Sequence, residues 1–364
     1  MWWGLFGRPK SEMNTMMKKW KKNNKIACST MVLVMLMAGL SGCIGSDDSE
    51  ETLRIAFSVK DDYASFDENP QKLADYLSDA TGLNIDLYPI TSDSLALEAL
   101  RFGSADMAFL DGGAAWMGWQ SYGLEAMAAD MKSDGRTYYS AHAWVLNDSA
   151  AGQAALDDDD ATDPFAELAG EVSCHTGWLK SAGMLIPMGY FIGQGYADVV
   201  GDEDDIESLR NTIFSHFSED ASIPESGSLY YGYSGALRCL SEGEGAVAFA
   251  KDSTVDAYCA ADDDERESWC LDRDRYVALP AFGQAPSHPL MYQPDTVDDS
   301  TRELIVSALL ALDDTEDGQS ILENILNTPG LIETNAEDHL GSYGGLIQHV
   351  PGIQGYLDEK YSSA

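Results

Sequence analysis

Residues Leu97–Trp116 read LEALRFGSADMAFLDGGAAW, and the order of their parts decides the fold. Ser94 to Phe102 carries apolar residues at helical spacing, so a helix is expected there. Ala105 to Leu110 (ADMAFL) is a short apolar run of buried-strand length. Asp111-Gly112-Gly113 then breaks the run, and a second helix is expected from Ala114. A helix, a buried strand, a glycine turn and another helix in this order form a repeating unit of an α/β sheet.

Working outward, Leu53–Ser58 (LRIAFS) alternates as a strand, and Asn69-Pro70 opens a helix with an apolar face at Leu73, Tyr76 and Leu77. Leu83–Tyr88 and Tyr138–Leu146 are further strands, and the acidic, turn-rich stretch 147–164 reads as a boundary. A second α/β unit follows. Its expected parts are a strand after Gly170, a helix over Ser181–Ile192, a strand at Thr212–Phe217, a helix at Ser234–Leu240, and strands at Gly245–Ala250 and Arg275–Leu279. Residues 281–295 are Pro-rich and read as a return crossing, before helices at Thr301–Leu312 and Gly318–Leu326.

The chain is strongly acidic, with 22 Lys+Arg against 61 Asp+Glu. Residues 1–43 hold seven of those bases and one of those acids, leaving 15 against 60 beyond them. Phosphate backbones and anionic lipid need basic stripes, so nucleic acid and electrostatic membrane docking are excluded as partners. Such a surface suits a soluble monomer in salt.

Met16–Lys25 is a basic segment and Ile26–Leu40 an apolar run of signal-peptide length, with Met13 or Met16 as alternative starts. Leu40-Ser41-Gly42-Cys43 resembles the lipobox of exported lipoproteins. The resemblance implies a signal over 1–43 and lipidation at Cys43, with the protein held on the outer face of the cytoplasmic membrane. Residues 44–52 (IGSDDSEET) read as a flexible acidic tether. Cys174, Cys239, Cys259 and Cys270 are an even set, as export favours. Closing the loop Cys259–Cys270 is the simplest pairing, which leaves Cys174 with Cys239. Without CxxC spacing or a His at ligand spacing, no metal site is expected.

Four stretches in order carry a family resemblance: the opening LRIAFS to LEALRFGSADMAFLDGGAAW, then GEVSCHTGWLKSAGMLIPMGYFI, YGYSGALRCLSEGEGAVAFAKDSTVD and FGQAPSHPLMY. Together they resemble the PhnD-like solute-binding proteins, the phosphonate, phosphite and phosphate receptors of ABC importers. The resemblance implies a two-lobed, type II periplasmic-binding fold. Each lobe would be a mostly parallel sheet flanked by helices, and two strands would cross at a hinge. Lobe 1 would be 52–147 plus 283–364, and lobe 2 148–282. The implied partners are a small solute and an importer permease, with no cofactor.

Ligands of open α/β sheets sit at the carboxyl ends of strands, against helix N-termini with unpaired N–H groups. Two such places are Asp111-Gly112-Gly113-Ala114 and Lys180-Ser181-Ala182-Gly183, where Lys180 adds a full charge. Tyr231, Tyr233 and Ser234 match the family's ligand-contacting stretch, and Lys251 and Asp252 follow a strand, where Asp252 also suits a helix cap. Weaker candidates are Lys60, Asp61 and Asp62 after the first strand, Ser287 and His288 on the return crossing, and His175.

The chain departs from its relatives. The family's Ser-Thr-Ser-Gly run reads Lys180-Ser181-Ala182-Gly183, its His-Glu reads Gly232-Tyr233, and Asp111 stands where Gly is usual. The expected ligand is a small oxyanion such as phosphonate, phosphite or phosphate, bound between the lobes, with an amine-bearing or zwitterionic solute, such as an aminophosphonate or vitamin precursor, the alternative. No GxSxG, HExxH or Walker loop occurs, so the expectation is a binding protein, with an exported enzyme the remote alternative.

Overall fold

The computed structural model describes residues 52–58, 69–157, 161–259 and 266–362. Among them, eleven strands run in chain order: β1 (Thr52–Ser58), β2 (Asn84–Ile90), β3 (Met107–Phe109), β4 (Glu125–Asp130), β5 (Tyr138–Leu146), β6 (Ser173–Cys174), β7 (Val247–Lys251), β8 (Tyr276–Ala278), β9 (Gly283–Pro286), β10 (Pro289–Tyr292) and β11 (Leu331–Glu333). They form two sheets flanked by helices. The first has the order β11-β4-β10-β3-β1-β2, and the second β6-β7-β5-β8 with β9 beside β5.

Strand directions show how the chain passes between the lobes. In the first sheet β1 pairs parallel with β2 and β3, while β10 is antiparallel to both β3 and β4. In the second, β5 runs antiparallel to β7, β8 and β9. The reversed strands are therefore those that arrive from the other lobe, β5 and β10, together with β11. Tyr138–Leu146, expected in the first lobe, belongs to the second sheet, and so does Gly283–Pro286. The chain passes between the sheets at residues 131–137, from β4 to β5, and at 287–288, from β9 to β10, the second lying within the expected return crossing 281–295. The local sequence hides this because β5 is an apolar strand that would fit either sheet.

The decisive stretch folds as read. Ser92 accepts a bond from Leu95 N and so caps helix Asp93–Arg101. After β3, Asp111 takes the extended conformation and caps helix Gly112–Tyr122 through Ala114 N. Gly123, at φ 67°, ends that helix in the left-handed conformation open to glycine. One expectation fails: Thr212–Phe217 is not a strand, since Thr212–His216 ends helix Ser208–His216 and Phe217 follows as its C-cap. Its β-branched and aromatic residues suggest a strand, but Leu209 and Ile213, four apart, bury one helical face.

The apolar core joins the lobes. One cluster runs from Ala108, Trp116 and Met117 through Ile186 and Phe191 to Phe249, with Tyr343 and Ile347 of helix Ala336–Ile347 between them. Disulfides Cys174–Cys239 and Cys259–Cys270 are both formed. No helix among the described residues is long and apolar enough to cross a membrane. The signal over 1–43, lipidation at Cys43, the tether up to residue 51, and Lys60, Asp61 and Asp62 all lie outside the described residues.

Candidate functional site

The first wall of the cleft starts from Asp111. Its Oδ1 accepts from Ala114 N at 2.7 Å and from the Tyr361 hydroxyl at 3.0 Å, and its Oδ2 lies 3.2 Å from the same hydroxyl. Lys360 Nζ in turn donates to the Tyr361 oxygen at 2.8 Å. Burial and the charge of Asp111 both push the Tyr361 phenol pKa upward, so it stays a donor. Asp93 lies near Asp111. Its pKa is pushed up to about 6, first by burial and then by the Asp111 charge, while His288 and Lys360 hold it down. Gly112 is required by packing, because a Cβ there would stand 2.9 Å from Pro286 Cγ.

The second wall grows from β6. Cys174 at its end is tied to Cys239 in helix Gly232–Ser241. His175 comes next and is completely buried. Its Nδ1 lies 2.8 Å from the Gly183 carbonyl and its Nε2 3.1 Å from Ser173 Oγ. Burial lowers its pKa to about 4, so the ring is neutral: Nδ1 donates to Gly183 and Nε2 accepts from Ser173. His175 therefore braces the wall and is not a ligand contact. Residues Ser181–Gly193 form one continuous helical segment, opening with a π turn over Ser181–Leu185. The first bonds within it run from Met184 and Leu185 N to Lys180 O, so the amides of Ser181, Ala182 and Gly183 lie ahead of the ladder.

Between these walls lies a cleft of ≈ 530 Å³. Lys132, Lys180, Lys360 and His288 line it, with Asp111 the acid among the lining residues. Lysine is scarce in this chain, with six beyond residue 43, so three at one cleft is a concentration of positive charge on an acidic protein. Each stands over a tyrosine ring: Lys132 over Tyr139 at 6.0 Å, Lys180 over Tyr231 at 5.7 Å and Lys360 over Tyr361 at 4.5 Å. Tyr233, Tyr343 and Tyr356 complete the tyrosine lining. The Ser181 hydroxyl lies 3.2 Å from that of Tyr343, across the cleft.

Of the residues singled out in the sequence, Asp111, Gly112, Gly113, Lys180, Ser181, Tyr231, Tyr233, Ser287 and His288 come together on the cleft. Ala114 and Ala182 are buried in the helices behind it, as is Gly183. Ser234 lies one residue past the lining. Lys251 stands behind Tyr233, with Nζ 5.2 Å from the ring. Asp252 is engaged with Arg136 near the first crossing, which explains the acid without a ligand. His288 contacts Asp130 through its backbone N and ring Nδ1, linking the second crossing to the end of β4.

The sequence reading missed Lys132, Thr176, Trp178, Tyr343, Tyr356, Lys360 and Tyr361, all of which line the cleft. The aromatic character of residues 339–361 was the available signal for the last four. Nothing local marks Lys132 or Thr176.

Comparison with known proteins agrees with this geometry. Residues 56–339 match the family model described as ABC transporter, phosphonate, periplasmic substrate-binding protein. Among curated proteins, serotransferrin of Gadus morhua is 30% identical over 238 residues, covering 58% of this chain and 33% of the relative. Serotransferrin-1 of Salmo salar is 32% identical over 221 residues, covering 55% and 30%. The chain thus matches about a third of the length of these relatives. Among solved structures, XAC2383 from Xanthomonas citri bound to chloride ion superposes with a TM-score of 0.51 at 16% identity, covering 84% of this chain and 99% of that one. That likeness concerns the fold. With the family model spanning most of the chain and the two sheets crossed twice as the fold requires, the chain belongs to the family of periplasmic phosphonate-binding proteins of ABC transporters.

Proposed function

We propose that the cleft binds a small oxyanion, a phosphonate, phosphite or phosphate, and that the protein delivers it as a monomer to an importer permease from a lipid anchor at Cys43. The observation that carries the ligand is the charge balance of the cleft. Lys132, Lys180 and Lys360 face it, whereas both Asp111 oxygens are already engaged by Tyr361 and Oδ1 also by Ala114 N. An acid committed to a helix cap and a phenol is a poor partner for an amine. The amides at the start of Ser181–Gly193 add donors and a partial positive charge. Closure of the lobes about residues 131–137 and 287–288 would bury the ligand between two helix starts.

Calorimetric titration of residues 48–364 with phosphate, phosphite, methylphosphonate and aminoethylphosphonate tests this reading. Binding of an oxyanion, weakened at least tenfold in Lys180→Met, is the expected result. Binding restricted to amine-bearing organics without an oxyanion group would overturn it, and would shift recognition to Asp111 and the tyrosines.

A further inference from the structure

Thr176 is 3% exposed and lines the cleft, and among the described residues its Oγ1 has no hydrogen-bond partner. A buried hydroxyl without a partner carries a desolvation cost that native structures avoid unless something else fills the role. Its position says what that is. The Thr176 carbonyl accepts from Gly232 N at 2.9 Å, at the start of helix Gly232–Ser241. Its side chain lies against Gly183, so closely that a Cβ on that glycine would overlap Oγ1. Thr176 thus stands between two helix N-termini of the second lobe. The brace from His175 to the Gly183 carbonyl and the Cys174–Cys239 disulfide hold it there.

We infer that the Thr176 hydroxyl is a specificity-determining ligand contact, donating its proton to an anionic oxygen seated on the amides of Ser181, Ala182 and Gly183. The inference rests on the oxyanion reading above. The oxygen it would serve lies on the second-lobe side, beside Lys180, where the family's run of hydroxyls is reduced to Ser181. Ser181 Oγ is itself within reach of the Tyr343 hydroxyl. Thr176 supplies from the preceding turn a hydroxyl that the loop lacks.

Thr176→Val keeps the shape and removes the hydroxyl, and Thr176→Ser keeps the hydroxyl. Two measurements separate the outcomes. In the ligand-free protein, Val in place of an unpartnered hydroxyl should leave the melting temperature unchanged or raise it. A clear drop would show the hydroxyl already bonded within the protein and would overturn the inference. In titrations with phosphate and methylphosphonate, the Val variant should bind roughly 10- to 100-fold more weakly, the loss of one hydrogen bond to a charged group. The Ser variant should stay within a few-fold of the unaltered protein. Equal affinity of the Val variant and the unaltered protein overturns the role of Thr176 and leaves the oxyanion reading standing. If the unaltered protein binds neither probe, the oxyanion reading falls, and the inference with it.

Discussion

The Tyr361 hydroxyl lies 3.0 Å from Asp111 Oδ1, across 250 residues of sequence. It joins helix Ile353–Ser362 to the turn that starts helix Gly112–Tyr122. Tyr361 is nearly fully buried, so the bond is made away from bulk water. Tyr361→Phe leaves a carboxylate short of one donor and is expected to cost about 1.5–3 kcal/mol. Urea denaturation of the two proteins measures it, and an unchanged midpoint would show the bond to be dispensable.

Two groups give the stability a pH signature of opposite sign. His175 has its folded pKa lowered from 6.5 to about 4, so below pH 6.5 the unfolded chain takes up the proton first. Stability is then lost as pH falls from about 6.5 to 4, by about 3 kcal/mol at most. Asp93 has its folded pKa raised from 3.8 to about 6, so the folded state holds the proton first. Its protonation adds stability over roughly pH 6 to 4, about 1–2 kcal/mol after solvent screening. Denaturation at pH 7 and 4.5 should therefore show Asp93→Asn losing more on acidification than the unaltered protein, and His175→Gln losing less. Parallel pH profiles for all three proteins would contradict both assignments.

The two disulfides should differ in worth. Cys174–Cys239 closes a loop with a separation of 65 residues, and Cys259–Cys270 one of 11. Loop-closure entropy gives about 4 and about 3 kcal/mol respectively. The longer bridge also holds β6 against helix Gly232–Ser241, beneath the cleft. Cys174→Ala with Cys239→Ala should lower both the melting temperature and oxyanion affinity. Cys259→Ala with Cys270→Ala should lower the melting temperature alone. An undiminished affinity in the first double variant would separate the bridge from the site.

The excess of acids predicts a salt-dependent fold. Beyond residue 43 the charge is 60 acidic against 15 basic residues. Repulsion among them reaches about 30 Å at 0.01 M salt and only about 3 Å at 1 M. The melting temperature should rise by several degrees across that range in sodium chloride, and a flat response would show that the acids are too dispersed to matter.

Much of the fold is legible because it is written locally. The run from Leu97 to Trp116 announces its helix, strand, turn and helix through spacing and glycine alone. The Pro-rich stretch 281–295 likewise declares a crossing, and β9 and β10 lie in it, one in each sheet. Apart from the local helix at Thr212, what failed depends on partners distant in sequence. Tyr138–Leu146 is assigned to a sheet by its pairing with β7, β8 and β9, more than 100 residues on. The half of the cleft near Tyr343, Lys360 and Tyr361 comes from the last helices, whose aromatic character is visible in the sequence but not their place beside Asp111, which only the fold supplies. Thr176 is invisible for a different reason: its meaning is a missing hydrogen bond, and a sequence contains no hydrogen bonds.

Helix Ala336–Ile347 packs against helix Ile186–Gly193 with the Leu346 carbonyl over Gly189, where a Cβ would collide with it. Farther on, Gly352 N donates to Glu203 O at 2.8 Å. The lobes are therefore joined by these contacts as well as through the two crossings. A rotation of one lobe on the other would have to move this helix pair, which is in backbone contact, as well as the two connecting segments. With no side chain, Gly189 lets the two helix backbones meet directly. On the proposed reading, the stiffness of opening depends on this helix contact as well as on residues 131–137 and 287–288.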